Sequence, residues 1–451
     1  MRLTILGGGG FRVPLVHRAL LADDGPGRVT ELVLHDLDAA RLRTIGRVLA
    51  DAESASARTG PRVLVETDLA AALRGADFVF SAIRVGGLEG RVCDERTALD
   101  RGVLGQETTG AGGVCYGLRT VPVAMHIART VREVAPDAYV INFTNPAGMV
   151  TEAMARVLGN RVVGICDSPV GMFKRVARAL DVPVDRAFFD YAGLNHLGWL
   201  RRVLVDGKDL LPGLLQDPDA LLTTEEGRLF GPDWLATLGT VPNEYLWYWY
   251  YTADAVAAAL RTGQTRGEAL LEQQREFWGD PPDAGTDEGA FARWERTRLA
   301  RESSYMADSR QATGAGARDQ EDLDGGGYDR VALQLMRAVA RDEPTSLVLN
   351  VPNRNSLPGL DADAVVEVPC RVDANGWRPY VVDPLDAHSS GLVATMKAVD
   401  RLTIEAATSG SYAAATRALA LHPLVSSVTV ARGILDSQLA ALPDLRAVIR
   451  P

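Results

Sequence analysis

RLTILGGGGFRVPLVHRALL, residues 2–21, decides the fold. The aliphatic run RLTIL (2–6) meets Gly7, Gly8, Gly9 and Gly10, and Val13, Leu15, Val16 and Leu20 then follow in a helix-compatible stretch. Strand, glycine turn and helix in this order suit a phosphate, because glycines let backbone N–H groups approach a pyrophosphate at a helix N-terminus. The third glycine of the dinucleotide fingerprint is replaced by Arg12, so the turn alone is also readable as a tight structural bend. The next strand, ELVLHD (31–36), ends in Asp36, where a carboxylate can hold adenosine ribose hydroxyls and repel a ribose phosphate. NAD is therefore expected rather than NADP, with Gly7, Gly8, Gly9, Gly10, Phe11 and Asp36 as its candidate contacts.

Outward from this turn the pattern repeats. DFVFSAI (77–83), AYVINF (138–143) and RVVGIC (161–166) read as strands separated by helical stretches, which predicts an α/β fold with a doubly wound parallel sheet of Rossmann type. Near residue 190 the character changes. FFDYAGLNHLGWLRRVLVDG (188–207) reads as antiparallel strands, 243–277 as helix rich in Tyr and Trp, and 347–355, 365–372 and 394–408 as the strands and helix of a second, α+β region. The expected division is 1–190 for the cofactor domain and 191–451 for a substrate, metal and oligomerisation domain. The Gly-rich, charged stretch 314–327 is the candidate mobile loop.

A length of 451 residues exceeds the usual span of one core and suggests two domains sharing a cleft. A net charge of -10 argues against nucleic acid as a partner, and no apolar run is long enough for a bilayer. The chain opens directly on a strand without a leader pattern, which predicts the cytoplasm. Four cysteines, Cys93, Cys115, Cys166 and Cys370, lack disulfide-scaffold density and fit a reducing compartment.

Cys166 terminates a predicted parallel strand, where ligands of open α/β sheets gather, and His196 follows 30 residues later. A thiolate and an imidazole with open positions for substrate oxygens would make a catalytic metal site, although a lone Cys and a lone His are by themselves more often coincidence. Six stretches narrow the choice: RVGGLEGRVCDE (84–95), GQETTGAGG (105–113), INFTNPAGM (141–149), GICDSPVGM (164–172), YAGLNHLGW (191–199) and NEYLWYWY (243–250). With EVPC (367–370) and DRLTIEA (400–406), they resemble glycoside hydrolase family 4 in content and order over nearly the whole chain.

The resemblance implies a Rossmann domain fused to one similar to the C-terminal half of lactate and malate dehydrogenases. It also implies hydrolysis by an oxidative route, an exception to two-carboxylate glycosidases. In that route NAD takes hydride from carbon 3, a base removes the acidified proton from carbon 2, the aglycone is eliminated, water adds and the hydride returns. Carried onto this chain, Cys166 and His196 match the ligands of a divalent metal, usually manganese, Tyr245 matches the base, and Asp167 matches the general acid of some members. Arg91 and Asn145 match substrate-binding positions, with Arg84 and Arg266 as further candidates; Asn145 could also cap a helix, and Asp94 and Glu95 could orient the arginines. Members acting on 6-phospho-β-glucosides often carry Asn where Asp167 stands, while α-acting members carry Asp; the other motifs lie closer to the β-acting group. The expectation is thus a 6-phospho-β-glucosidase that assembles as a homodimer or homotetramer. The alternatives are a 6-phospho-α-glucosidase, an unphosphorylated α-glycosidase or galacturonidase, and a lactate/malate-type dehydrogenase.

Overall fold

Thirteen strands hydrogen-bond into one sheet in the computed structural model, which describes every residue except 57, 280–288, 320–322, 324–326 and 451. The parallel part comprises β1 (Arg2–Leu6), β2 (Glu31–His35), β3 (Arg62–Glu66), β4 (Phe78–Ser81), β5 (Tyr139–Asn142) and β6 (Val162–Gly164), in the order 3-2-1-4-5-6. This is the mononucleotide-binding order, and the strand order reverses between the parallel neighbours β1 and β4, directly beyond which the glycine turn stands. β3 is absent from the sequence reading: RVLVE sits on the sheet edge with Arg62 and Val65 exposed, so it has no buried face to give it a clear pattern.

The sheet continues through β7 (Phe188–Leu194), β8 (Leu197–Val205), β9 (Lys208–Asp209), β10 (Val241–Pro242), β11 (Thr345–Pro352), β12 (Val365–Asp373) and β13 (Gly376–Pro379), all antiparallel. The seam is a pairing of β11 with β6 at Asn350 and Gly164, so both regions share one sheet. The main apolar core crosses that seam, running from Leu3, Ile5 and Val163 to Leu349, Val351 and Val366. A second core packs helix Ala111–Val134 against Ala387–Ser409, Tyr412–Leu421 and Val428–Ala441.

The region 243–277 is broken rather than one helix: a turn at Glu244–Leu246 and helices Trp247–Tyr250, Thr252–Thr262 and Arg266–Gly279. Helix Ala290–Ser303 returns to the cofactor region, where the fully buried Trp294 donates its indole N–H to the Phe11 carbonyl at 2.8 Å. Most of 320–326, the centre of the expected mobile loop, lies outside the described residues. Among the described residues no helix is long and apolar enough to cross a membrane.

Candidate active site

A cavity of about 1240 Å³ opens at the carboxyl ends of β1, β4 and β6, with the antiparallel region closing its far side. Its first wall is the glycine turn. Gly7 has φ +81°, and a Cβ there would lie 2.6 Å from the Ala82 carbonyl oxygen. Gly8 is pressed against Leu34 and His35, while the Gly9 N–H donates to Asp36 Oδ2 at 3.0 Å. Gly7, Gly10, Phe11 and Asp36 line the cavity; Gly8 and Gly9 sit behind it. The Phe11 ring packs edge-on to Phe277 and near Trp294, anchoring the turn. Side-chain-free backbone, a helix start at Val13 and a carboxylate at the tip of β2 together fit a dinucleotide.

Cys166 follows β6 at the start of helix Ser168–Ala179, and His196 occupies the two-residue turn joining β7 to β8. His196 has φ +62°, a left-handed position that histidine visits more readily than bulky apolar residues. The two meet with Cys166 Sγ 3.7 Å from His196 Nε2, while His196 Nδ1 lies 3.0 Å from Thr108 Oγ1. Thr108 thus occupies one ring nitrogen and leaves Nε2 for a ligand. Burial holds the imidazole neutral, with its pKa lowered to about 4, and pushes the Cys166 thiol well up. A neutral imidazole facing a thiol that only a cation would deprotonate fits a divalent ion. Among the described residues no group of three or more His, Cys, Asp or Glu side chains could hold a metal, so two protein ligands would leave open positions.

The Tyr245 ring stacks on His196 with centroids 3.7 Å apart and planes 8° from parallel. Its hydroxyl lies 3.1 Å from that of Tyr305. Burial, then the charge of Glu244, pushes the Tyr245 pKa well above that of a free phenol. Asp167 lines the same cavity, raised by burial and drawn back by the Arg12 guanidinium 3.7 Å away.

Arg84 and Arg91, both expected to bind substrate, line the cavity but are neutralised. Arg84 and Arg91 grip opposite oxygens of Glu107, and Arg91 also donates to Glu95 at 2.7 Å. The two cations hold Glu107 down at about 2 against burial. Asp94 instead pairs bidentately with Arg119, which corrects its expected role of orienting Arg84 or Arg91. Asn145 faces the cavity but does not cap a helix: Pro146, after a cis peptide bond, takes the cap position of Ala147–Leu158. Cys93, Cys115 and Cys370 are free thiols away from the cavity lining.

Arg266 donates to Ser304 Oγ at 2.7 Å and to the Arg301 carbonyl at 2.9 Å, with no carboxylate bound to it among the described residues. Beside it Arg301, which the sequence reading did not single out, lines the cavity without a carboxylate partner among the described residues. Burial and the charges of Arg12, Arg266 and Arg84 lower its pKa to about 9 despite Glu302. Arg301 lies in ARWERTRLARES, where alternating charges read as a solvated helix face, so no local signal marks it. Glu107 was within a quoted motif; Tyr305 had no signal at all.

Comparison with known proteins agrees along the whole chain. The profile described as "Family 4 glycosyl hydrolase" matches residues 2–182, and "Family 4 glycosyl hydrolase C-terminal domain" matches 191–425. A probable 6-phospho-beta-glucosidase of Bacillus subtilis is 35% identical, over 82% of this chain and 79% of its own. A 6-phospho-alpha-glucosidase of Lacticaseibacillus paracasei is 30% identical over 82% of this chain and 80% of its own. A solved 6-phospho-beta glucosidase of Thermotoga maritima, with manganese, NAD+ and glucose-6-phosphate, superposes with a TM-score of 0.81 at 26% identity, covering 100% of this chain and 99% of that one.

Proposed function

Since the chain belongs to glycosyl hydrolase family 4, we propose that it hydrolyses 6-phospho-β-glucosides with NAD at the glycine turn and a divalent ion, manganese foremost, held by Cys166 and His196. The observation that carries the phosphate is Arg301: a cationic side chain among other cations, facing the cavity with no carboxylate paired to it among the described residues, suits an anion. Arg266 stands beside it as a second cation, held by Ser304, whereas Arg84 and Arg91 are already neutralised by Glu107 and suit sugar hydroxyls. Residues 1–190 then supply the cofactor and Cys166, and 191–451 supply His196, Tyr245 and the anion site.

In this reading Arg301 and Arg266 fix the sugar by its phosphate, and Tyr245 presents its hydroxyl as the acceptor of the carbon 2 proton. Asp167, kept protonated longer by burial, donates to the departing glycosidic oxygen. When bound, NAD would supply a reversible hydride acceptor for carbon 3, and the ion a positive charge beside the oxygens on carbons 2 and 3. The β preference rests on the motif wording RVGGLEGR, NFTNPAGM and LNHL. Asp167 is the one residue that favours the α-linked substrate, and the 30% identical α-glucosidase relative supports that second reading. Cytoplasmic location and assembly as a dimer or tetramer belong to the same proposal, and sedimentation checks the assembly.

The test is nitrophenol release from the α and β anomers of nitrophenyl glucoside 6-phosphate and from their unphosphorylated counterparts, with and without NAD and manganese. Cleavage of the phosphorylated β anomer, dependent on both additions, is expected, with KM rising about 100-fold in Arg301→Ala through loss of a charge-assisted contact. Cleavage of only the α anomer would transfer the assignment to the second reading. Equal rates without the phosphate, or stoichiometric accumulation of NADH, would overturn it.

A further inference from the structure

As a base, Tyr245 takes a proton on its hydroxyl oxygen, and the hydrogen already there needs an acceptor. The geometry behind it supplies one. Tyr305, just after helix Ala290–Ser303, sets its hydroxyl 3.1 Å from the Tyr245 hydroxyl and 2.6 Å from Glu244 Oε1. A phenol has a single hydrogen to donate. The shorter contact is to a carboxylate, and bonds to charged acceptors are the stronger ones, so Tyr305 gives its hydrogen to Glu244 and turns a lone pair towards Tyr245. Tyr245 in turn directs its own hydrogen at Tyr305, which leaves its oxygen lone pairs for the cavity that it lines. Glu244 and Tyr245 are neighbours in one turn, and the Tyr305 hydroxyl lies within hydrogen-bond distance of both functional groups.

We propose that Tyr305 and Glu244 form a proton relay behind Tyr245. As Tyr245 Oη takes the proton from carbon 2 of the 3-keto sugar, its own proton passes to Tyr305 Oη, and that of Tyr305 passes to the Glu244 carboxylate. The electron pair of the broken carbon–hydrogen bond stays on the sugar as the enolate. Both phenols end neutral and Glu244 ends protonated. The reverse shift returns the proton to carbon 2 after water has added, so the relay closes over one turnover. Tyr245 is never a free phenolate.

The surroundings of Glu244 suit a proton store. Ser168 Oγ donates to Oε1 at 3.2 Å, while Arg175, 3.8 Å from Oε2, is committed to Glu226. Glu225, bound to Arg310, is a third carboxylate in the cluster and is pushed up to about 7 by burial and by the charge of Glu244. Protonating Glu244 relieves that repulsion, and burial raises its own proton affinity in the same sense.

The relay rests on Tyr245 being the base, and three variants separate the two claims. Enzyme loaded with NAD and manganese is assayed on whichever nitrophenyl glucoside 6-phosphate it cleaves, carrying hydrogen or deuterium at carbon 2. Tyr305→Phe keeps the ring and removes the hydroxyl; Glu244→Gln keeps the shape and removes the proton store. Both are expected to lower kcat about 100-fold, the scale of a lost acid–base group, with KM within about twofold and a larger carbon 2 isotope effect. Wild-type kcat and isotope effect in both, with Tyr245→Phe impaired, would overturn the relay and leave the base standing. Unimpaired Tyr245→Phe would remove the base and the relay with it. A loss in Tyr305→Phe that appears in KM with an unchanged isotope effect would reduce Tyr305 to packing, and Glu244→Gln decides alone where Tyr305→Phe does not fold.

Discussion

Gly7 at φ +81°, with the Ala82 carbonyl where its Cβ would be, is a position that chemistry leaves to glycine. Gly7→Ala should cost about 1–3 kcal/mol through backbone strain, before any clash is counted. It should lower the melting temperature and weaken NAD binding together; an unchanged NAD affinity would mean that the turn does not carry the cofactor. Cys166 acts through its sulfur, opposite His196 Nε2 at 3.7 Å. Cys166→Ala should abolish manganese-dependent activity by at least about 100-fold in kcat/KM while NAD affinity, read by fluorescence titration, stays within about twofold. Parallel loss of both would place Cys166 in the cofactor site instead.

At the scale of elements, β7, β11 and β12 are tied by Glu367. It pairs in register with Gly193 and Asn350, and accepts hydrogen bonds from Asn195, Asn350 and Tyr191. Burial pushes its carboxyl from 4.5 up to about 7 against those three donors. The native state therefore holds this proton more tightly than the unfolded chain does. Its contribution to stability is complete below pH 4.5, is lost as the pH rises to about 7 and is level above that, a span worth roughly 3 kcal/mol. Denaturant midpoints of metal-free protein should fall across this window, and Glu367→Gln should flatten the fall. A variant whose midpoints track wild type at every pH would show that Glu367 does not titrate there.

At the scale of the molecule, the cofactor and substrate regions divide the work without dividing the core. β6 has β11 as its outer neighbour, and Val163 and Ile165 share a core with Leu349 and Val351. A fragment of residues 1–190 would leave that edge unpaired and that apolar surface wet. It should melt without a cooperative transition and bind a hydrophobic dye. Sharp melting together with NAD binding would make the first 190 residues an independent domain.

The sequence by itself determined what is local or periodic. Strand, glycine turn and helix over 2–21, Asp36 at the tip of the next strand, and the alternation of strands with helices are written in neighbouring residues, because hydrophobic period and turn chemistry act over a few positions. Cys166, His196 and Tyr245 were legible through the motifs around them, and the structure brings all three to one cavity. Only the tertiary structure decided which cations are already paired with carboxylates. Arg91 looks like an anion binder until Glu95 and Glu107 neutralise it, and Arg301 looks like a solvated helix residue until three other arginines surround it. Tyr305 likewise gains its meaning from lying between Glu244 and Tyr245, about 60 positions earlier in the chain. Charge balance and hydrogen-bond direction depend on distance in space, and a sequence states distance only along the chain.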